Sequence, residues 1–206
     1  MRGHGRSSSP ADPARYSRDA TVGDMAAVLD AVLDAVGATT AIVGGLSLGG
    51  YMSLAFHRAH PERVRALLIF DTGPGFKNPK SRADWNRSAE RTAAELDEKG
   101  RSALRTRSAE RQLAEHRDAR GLVLAARNML TQHDATVIEW LPHIEAPTLV
   151  LVGADDEPFL AATDYMAKKI PHAEKVVIAN AGHAANLDQP EAFNQSVRSF
   201  LDAHRL

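Results

Sequence analysis

Seven residues constrain this chain more than any others. Gly44-Gly45-Leu46-Ser47-Leu48-Gly49-Gly50 joins an apolar run, Thr40-Ala41-Ile42-Val43, to Tyr51-Met52-Ser53-Leu54-Ala55-Phe56-His57, which has helical spacing. A short buried strand must therefore end, turn sharply and become a helix within one heptapeptide. Gly45-Leu46-Ser47-Leu48-Gly49 is a G-x-S-x-G sequence in that strand–turn–helix context. Glycines two before and two after the serine are expected where neighbouring chain passes too close for a Cβ, with the serine itself strained. Such a turn lifts the Ser47 hydroxyl above the sheet, beside backbone N–H groups at the start of the next helix. The expectation is a nucleophile elbow, with Ser47 as nucleophile and the Leu48 N–H as oxyanion donor. The plainer alternatives are a Gly/Ser-rich strand–helix turn or a phosphate-binding loop. No G-K-[ST] sequence occurs in the chain, which excludes the P-loop form.

A serine hydroxyl needs a base to take its proton. Asn180-Ala181-Gly182-His183-Ala184-Ala185 directly follows an apolar strand candidate, Lys175-Val176-Val177-Ile178, so His183 is expected at the carboxyl edge of the sheet. The base in turn needs a carboxylate to hold its tautomer. Gly153-Ala154-Asp155-Asp156-Glu157 follows another strand candidate, Pro147 to Gly153, and offers Asp155, Asp156 or Glu157. Asp71, past the strand Val64–Phe70, is a further acid position. His57, His60, His116, His133, His143, His172 and His204 read as solvated or packing residues. No two of them have helical metal-ligand spacing with a carboxylate, so neither metal nor cofactor is expected.

Composition narrows the partners. The 206 residues carry a formal net charge of −1, which leaves no electrostatic footprint for nucleic acid or an anionic membrane. With no cysteine there is no disulfide framework, thiolate nucleophile or zinc–thiolate site. Met1 to Pro10 lacks the apolar stretch of a signal peptide, and no apolar run approaches the roughly 20 residues that span a bilayer. A cytoplasmic protein acting on a small molecule fits these readings.

Along the chain, strands alternate with helices, as in a parallel α/β sheet covered on both faces. Thr21 with Asp24 resembles a capping box, and Met25, Val28, Leu29, Val32, Leu33 and Val36 then recur at helical spacing until Gly37. A helix from Phe159 to Ile170 and a last helix from about Gln189 towards His204 follow further on. From Phe76 to about His143, Arg, Glu, Ala and Lys dominate, with Trp85, Leu96, Leu104, Leu113, Leu122, Leu124 and Met129 placed compatibly with short amphipathic helices. The expected organisation is core over 1–75, helical cap over 76–143 and core again over 144–206. Trp85 and Trp140 suit either the pocket or the core.

Ser47, an acid after Gly153, and His183 stand in the chain order of the α/β-hydrolase fold. Together with Arg2-Gly3-His4-Gly5-Arg6-Ser7, His60-Pro61-Glu62-Arg63-Val64 and Pro147–Gly153, they make the chain resemble the α/β-hydrolase superfamily. Within it, the chain is similar to the capped esterase, enol-lactonase and meta-cleavage-product hydrolase group. That resemblance implies a serine hydrolase for a small carboxylic ester or enol-lactone. By the pattern G-x-x-D it assigns the acid to Asp156. C–C bond hydrolysis by the same three residues is the enzyme alternative. The alternative from another class is a non-catalytic binding relative or impaired fragment.

The resemblance also implies something absent. In the family, Arg-Gly-His-Gly-x-Ser follows about the fourth strand of an eight-stranded sheet, whereas here it begins at Arg2. The chain would hold about four of those strands and would lack the loop that supplies a second oxyanion donor. Met1 is then expected to be an internal methionine of a longer protein. If the short form is complete, Ala41-Ile42-Val43 becomes an exposed sheet edge, and the chain is either a homodimer through that edge or a degraded, inactive relative.

Overall fold

The computed structural model describes residues 1–104 and 109–206. Along the chain run α1 (Arg18–Val36), β1 (Ala41–Leu46), α2 (Leu48–Ala59), β2 (Val64–Phe70), α3 (Pro79–Lys99), α4 (Ala109–Leu113), α5 (Ala119–Asn128), α6 (Thr136–Trp140), β3 (Thr148–Gly153), α7 (Glu157–Lys169), β4 (Ala173–Ile178), α8 (Ala185–Asp188) and α9 (Pro190–Ala203). The chain divides into two compact units, one of residues 1–25 and 75–135, the other of 26–74 and 136–206.

The second unit carries the sheet. Its strands run β1-β2-β3-β4 in space and every neighbouring pair is parallel. The burial of β3, all six residues of Thr-Leu-Val-Leu-Val-Gly, is what a central parallel strand requires, because helices cover both its faces. Leu149 and Leu151 join Ala66, Ile178 and Phe200 in one core, with Phe193, Val197 and Leu201 of α9 packed against it. Met52, Leu54, Ala55 and Phe56 of α2 are also buried. The outer strands β1 and β4 are less buried than β3, and Ile42 and Val177 face solvent. This is the four-stranded parallel α/β architecture that the strand–helix alternation predicts.

In the first unit α3 packs on α5 through Ala93, Leu96, Leu122, Val123 and Ala126. Trp85 Nε1 donates to the Leu130 carbonyl at 2.7 Å, which fixes the ring as a packing element. Arg2 grips Asp24 with two hydrogen bonds, Nε to Oδ2 and Nη2 to Oδ1, both 2.7 Å. The segment expected to be helical over 76–143 includes residues 105–108, which lie outside the described residues.

Helix boundaries depart from expectation where side chains had a better use. α1 begins at Arg18, not after Thr21, because Ser17 Oγ accepts from the Ala20 N–H at 3.0 Å and acts as the cap. Thr21 instead donates its hydroxyl back to the Ser17 carbonyl, and Asp24 is taken by Arg2. α7 starts at Glu157, two residues before Phe159, with Pro158 in its first turn, a position that suits proline's fixed φ. The apolar stripe of α1 is only partly used: Val22 and Leu33 are buried, whereas Val28, Val32 and Val36 are exposed.

Candidate active site

Ser47 occupies the N-cap of α2 at φ 54°, ψ −118°. A non-glycine residue there stores about 1–3 kcal/mol of backbone strain. The turn is over-determined by its surroundings: the Ser47 N–H donates to the Phe70 carbonyl at 2.9 Å, and the Ser47 carbonyl accepts from the Tyr51 N–H at 3.1 Å. The Ser47 hydroxyl makes no capping bond to the helix. Leu48 is the first residue of α2, where backbone N–H groups have no intrahelical partner.

The steric need for glycine is partly elsewhere than the motif suggests. A Cβ on Gly45 would lie 2.6 Å from the Gly49 carbonyl carbon, and one on Gly50 2.7 Å from the Thr72 methyl. A Cβ on Gly49 would meet nothing within 4 Å. Gly49 thus supplies only backbone for Gly45 to approach, and the second close approach falls to Gly50.

The acid-bearing turn is built at the end of β3. Asp156 is the N-cap of α7, yet its carboxylate makes no capping bond. Instead its Oδ2 lies 2.9 Å from His183 Nδ1. Asp156 is 6 % exposed, which shields that pair from water, whereas Asp155 and Glu157 on either side are exposed. The imidazole also stacks on Phe159 of α7, with centroids 5.2 Å apart and planes 29° from parallel. Sequence reasoning missed this contact, although Phe159 falls three residues after Asp156, where the first turn of α7 points back towards the strand ends.

His183 is brought to Asp156 by a loop that doubles back over β3. Ala154 N–H donates to the Ile178 carbonyl and Asp155 N–H to the Ala181 carbonyl, at 2.8 and 2.9 Å. Gly153 makes the approach feasible, since a Cβ there would lie 2.3 Å from both the Ala181 and Gly182 carbonyl oxygens. Asn180 turns the chain at φ 55°, and Gly182 N–H is held by Asp188 Oδ2 at 2.8 Å.

Asp71 completes the set of acids at this sheet edge. It caps β2 at φ 45°, and its Oδ1 accepts from the Gly153 N–H at 2.8 Å. Burial is the main cause that pushes its carboxyl up to about 6, with Asp156 adding to the shift and His183 and the Gly153 N–H opposing it. Asp156 and His183 are thus joined directly. Ser47 stands two strands away from Asp156, at the carboxyl end of β1, with no hydrogen bond to His183. Among the described residues no three His, Asp or Glu side chains converge as a metal site.

Trp140 is held by a different histidine. Its Nε1 donates to His57 Nδ1 at 3.1 Å, and His57 is 2 % exposed, so this pair is part of the packing of α2.

Known proteins share this arrangement of elements. A Bacillus subtilis protein bearing the name of a 2-succinyl-6-hydroxy-2,4-cyclohexadiene-1-carboxylate synthase is 28 % identical over 97 % of this chain and 78 % of its own length. The 3-oxoadipate enol-lactonase 2 of Acinetobacter baylyi is 27 % identical over 97 % of this chain and 76 % of its own. Among solved structures, a thermophilic esterase from Thermogutta terrifontis superposes with a TM-score of 0.74 at 28 % identity, covering all of this chain and 79 % of that one. The model of the alpha/beta hydrolase family matches residues 1–196. With the parallel sheet and the Ser47 turn described above, that match places the chain in the alpha/beta hydrolase family.

Proposed function

We propose that the chain is a serine hydrolase that cleaves a small carboxylic ester or enol-lactone through an acyl-enzyme on Ser47. The observation that carries the reading is the 2.9 Å contact between His183 Nδ1 and Asp156 Oδ2. It commits the Nδ1 proton to the carboxylate and leaves Nε2 as the basic lone pair. The strained Ser47 turn and its uncommitted hydroxyl support the same reading.

In this reaction Ser47 Oγ attacks the carbonyl carbon while His183 Nε2 takes its proton. Negative charge gathers on the carbonyl oxygen, and the Leu48 N–H donates to it. The tetrahedral species collapses and expels the alkoxide or enolate, which receives the proton from His183. Water then gives a proton to His183 and attacks the acyl-Ser47 carbonyl, releasing the carboxylic acid and restoring the hydroxyl. Asp156 holds the imidazole's tautomer and balances its charge throughout.

Hydrolysis of p-nitrophenyl butyrate by the wild-type chain and by Ser47→Ala tests the reading. Turnover that disappears in the variant is expected. Turnover that survives it removes Ser47 from the reaction.

A further inference from the structure

Asp71 is a fully buried ionisable group at the same sheet edge, and the reaction above has no use for it. It is 0 % exposed and has a positive φ, yet only one of its carboxylate oxygens is satisfied. Oδ1 accepts from the Gly153 N–H at 2.8 Å, while Oδ2 has no hydrogen bond of full geometry among the described residues, although the Ala185 N–H faces the carboxylate. Burying a carboxylate oxygen without a partner costs free energy, and an asparagine of the same shape would avoid burying a charge. The position is therefore an expensive place to keep an acid.

What surrounds Asp71 suggests why the acid is there. β2 lies between β1, which ends at Ser47, and β3, which leads to Asp156. The charged or titratable groups that face Asp71 are Asp156, from the turn before α7, and His183, from the loop after β4, along with the backbone N–H groups of Gly153 and Ala185. Gly153, whose N–H bonds to Asp71, lies against the Ala181 and Gly182 carbonyls just before His183 and three residues before Asp156, which sets Asp71 beside the hydrogen-bonded pair.

We propose that Asp71 is a positioning residue for the Ser47 reaction: a second buried carboxylate that joins Asp156 in stabilising the His183 imidazolium formed as Ser47 attacks. The proposal rests on the reading of Ser47, His183 and Asp156 given above. Asp71 acts on the imidazole from a fully buried position, where a charge counts for more than it does in water. Its contribution depends on its own ionisation. Because burial pushes its carboxyl up to about 6, the second negative charge is present above that pH and absent below it.

Asp71→Asn removes the charge and keeps an oxygen that can accept from the Gly153 N–H. Two rates are followed from about pH 5 to about pH 8 in wild type and variant: turnover of p-nitrophenyl butyrate, and covalent labelling of Ser47 by a fluorophosphonate, which needs no particular substrate. At about pH 8 the variant is expected to lose roughly tenfold in kcat and in labelling rate, the size of one unit of differential interaction, with KM unchanged. At about pH 5 the defect should close towards unity, because the wild-type carboxyl is then neutral as well. Asp71→Ser, which also removes the charge, must show the same closing ratio and serves if the asparagine variant does not fold. A ratio equal at both pH values, or no defect at about pH 8, overturns the role of Asp71 alone. Failure of wild-type Ser47 to label, or labelling that persists in Ser47→Ala, overturns the hydrolase reading and Asp71's role with it.

Discussion

His183 Nδ1 and Asp156 Oδ2 are 2.9 Å apart although 27 residues separate them in the chain. The contact forms because Asp156 gives up capping α7 and Gly153 lets the loop after β4 close over β3. Asp156→Asn is the sharpest test of what it does. The amide presents either a donor or an acceptor to Nδ1 without the charge, so the wrong tautomer becomes accessible. kcat for ester hydrolysis is expected to fall by about 10⁴ with little change in KM, measured by steady-state kinetics.

The elbow glycines are separable by stability. Gly45→Ala forces a Cβ to 2.6 Å from the Gly49 carbonyl carbon, and overpacking of that kind costs about 1–3 kcal/mol. Gly49→Ala puts its Cβ in open space within α2 and is expected to be neutral or to stabilise by up to about 1 kcal/mol. Urea denaturation should show a loss for Gly45→Ala and none for Gly49→Ala, and equal losses would refute the steric assignment.

Asp71 makes a prediction about stability that is separate from catalysis. Its folded-state carboxyl sits at about 6, above the ordinary 3.8, so between those values the folded chain holds a proton the unfolded chain has lost. Stability therefore falls as pH rises through this window and stays reduced above it, by about 3 kcal/mol at most. Asp71→Asn should raise the melting temperature at about pH 7.5, and the gain should vanish as pH drops to about 4. A gain that does not vary with pH would show that burial of the charge is not its cause.

His57 behaves in the opposite sense. Its Nδ1 accepts from Trp140 Nε1, and burial, partly offset by Glu62, pulls its protonation below the ordinary 6.5. The unfolded chain therefore gains a proton first, and stability is lost as pH falls through 6.5 and below. His57→Gln, which keeps an acceptor but cannot titrate, should show a shallower loss between about pH 7 and pH 5 in thermal melts. His57→Leu leaves the Trp140 N–H without its acceptor and should cost about 1–3 kcal/mol at neutral pH.

The local code was legible wherever a feature depends on a few adjacent residues. The Ser47 turn follows from close approaches within the motif itself, at Gly45 and Gly50, where a Cβ would lie 2.6 and 2.7 Å from its neighbours. The burial of β3 follows from six residues with no charge among them. Gly37 at φ 65° ends α1 because few other residues adopt that conformation readily. The order of Ser47, Asp156 and His183, each past the end of a strand, was likewise readable, because strands and turns have short-range signals.

Tertiary structure decided what depends on who else is near. Ser17, not Thr21, caps α1, because Asp24 is claimed by an arginine 22 residues upstream. The valines of α1 have the spacing of a packed face, yet Val28, Val32 and Val36 stay exposed, since periodicity records which side is apolar and not whether anything covers it. Of three consecutive acids, only Asp156 turns inward to the imidazole, a choice set by where the loop after β4 folds back. Asp71 reads in the sequence as a strand-terminating aspartate. Its complete burial, unpaired oxygen and nearness to Asp156 and His183 arise only when β2 is enclosed between β1 and β3, because removing a carboxylate from water is a property of the assembled sheet.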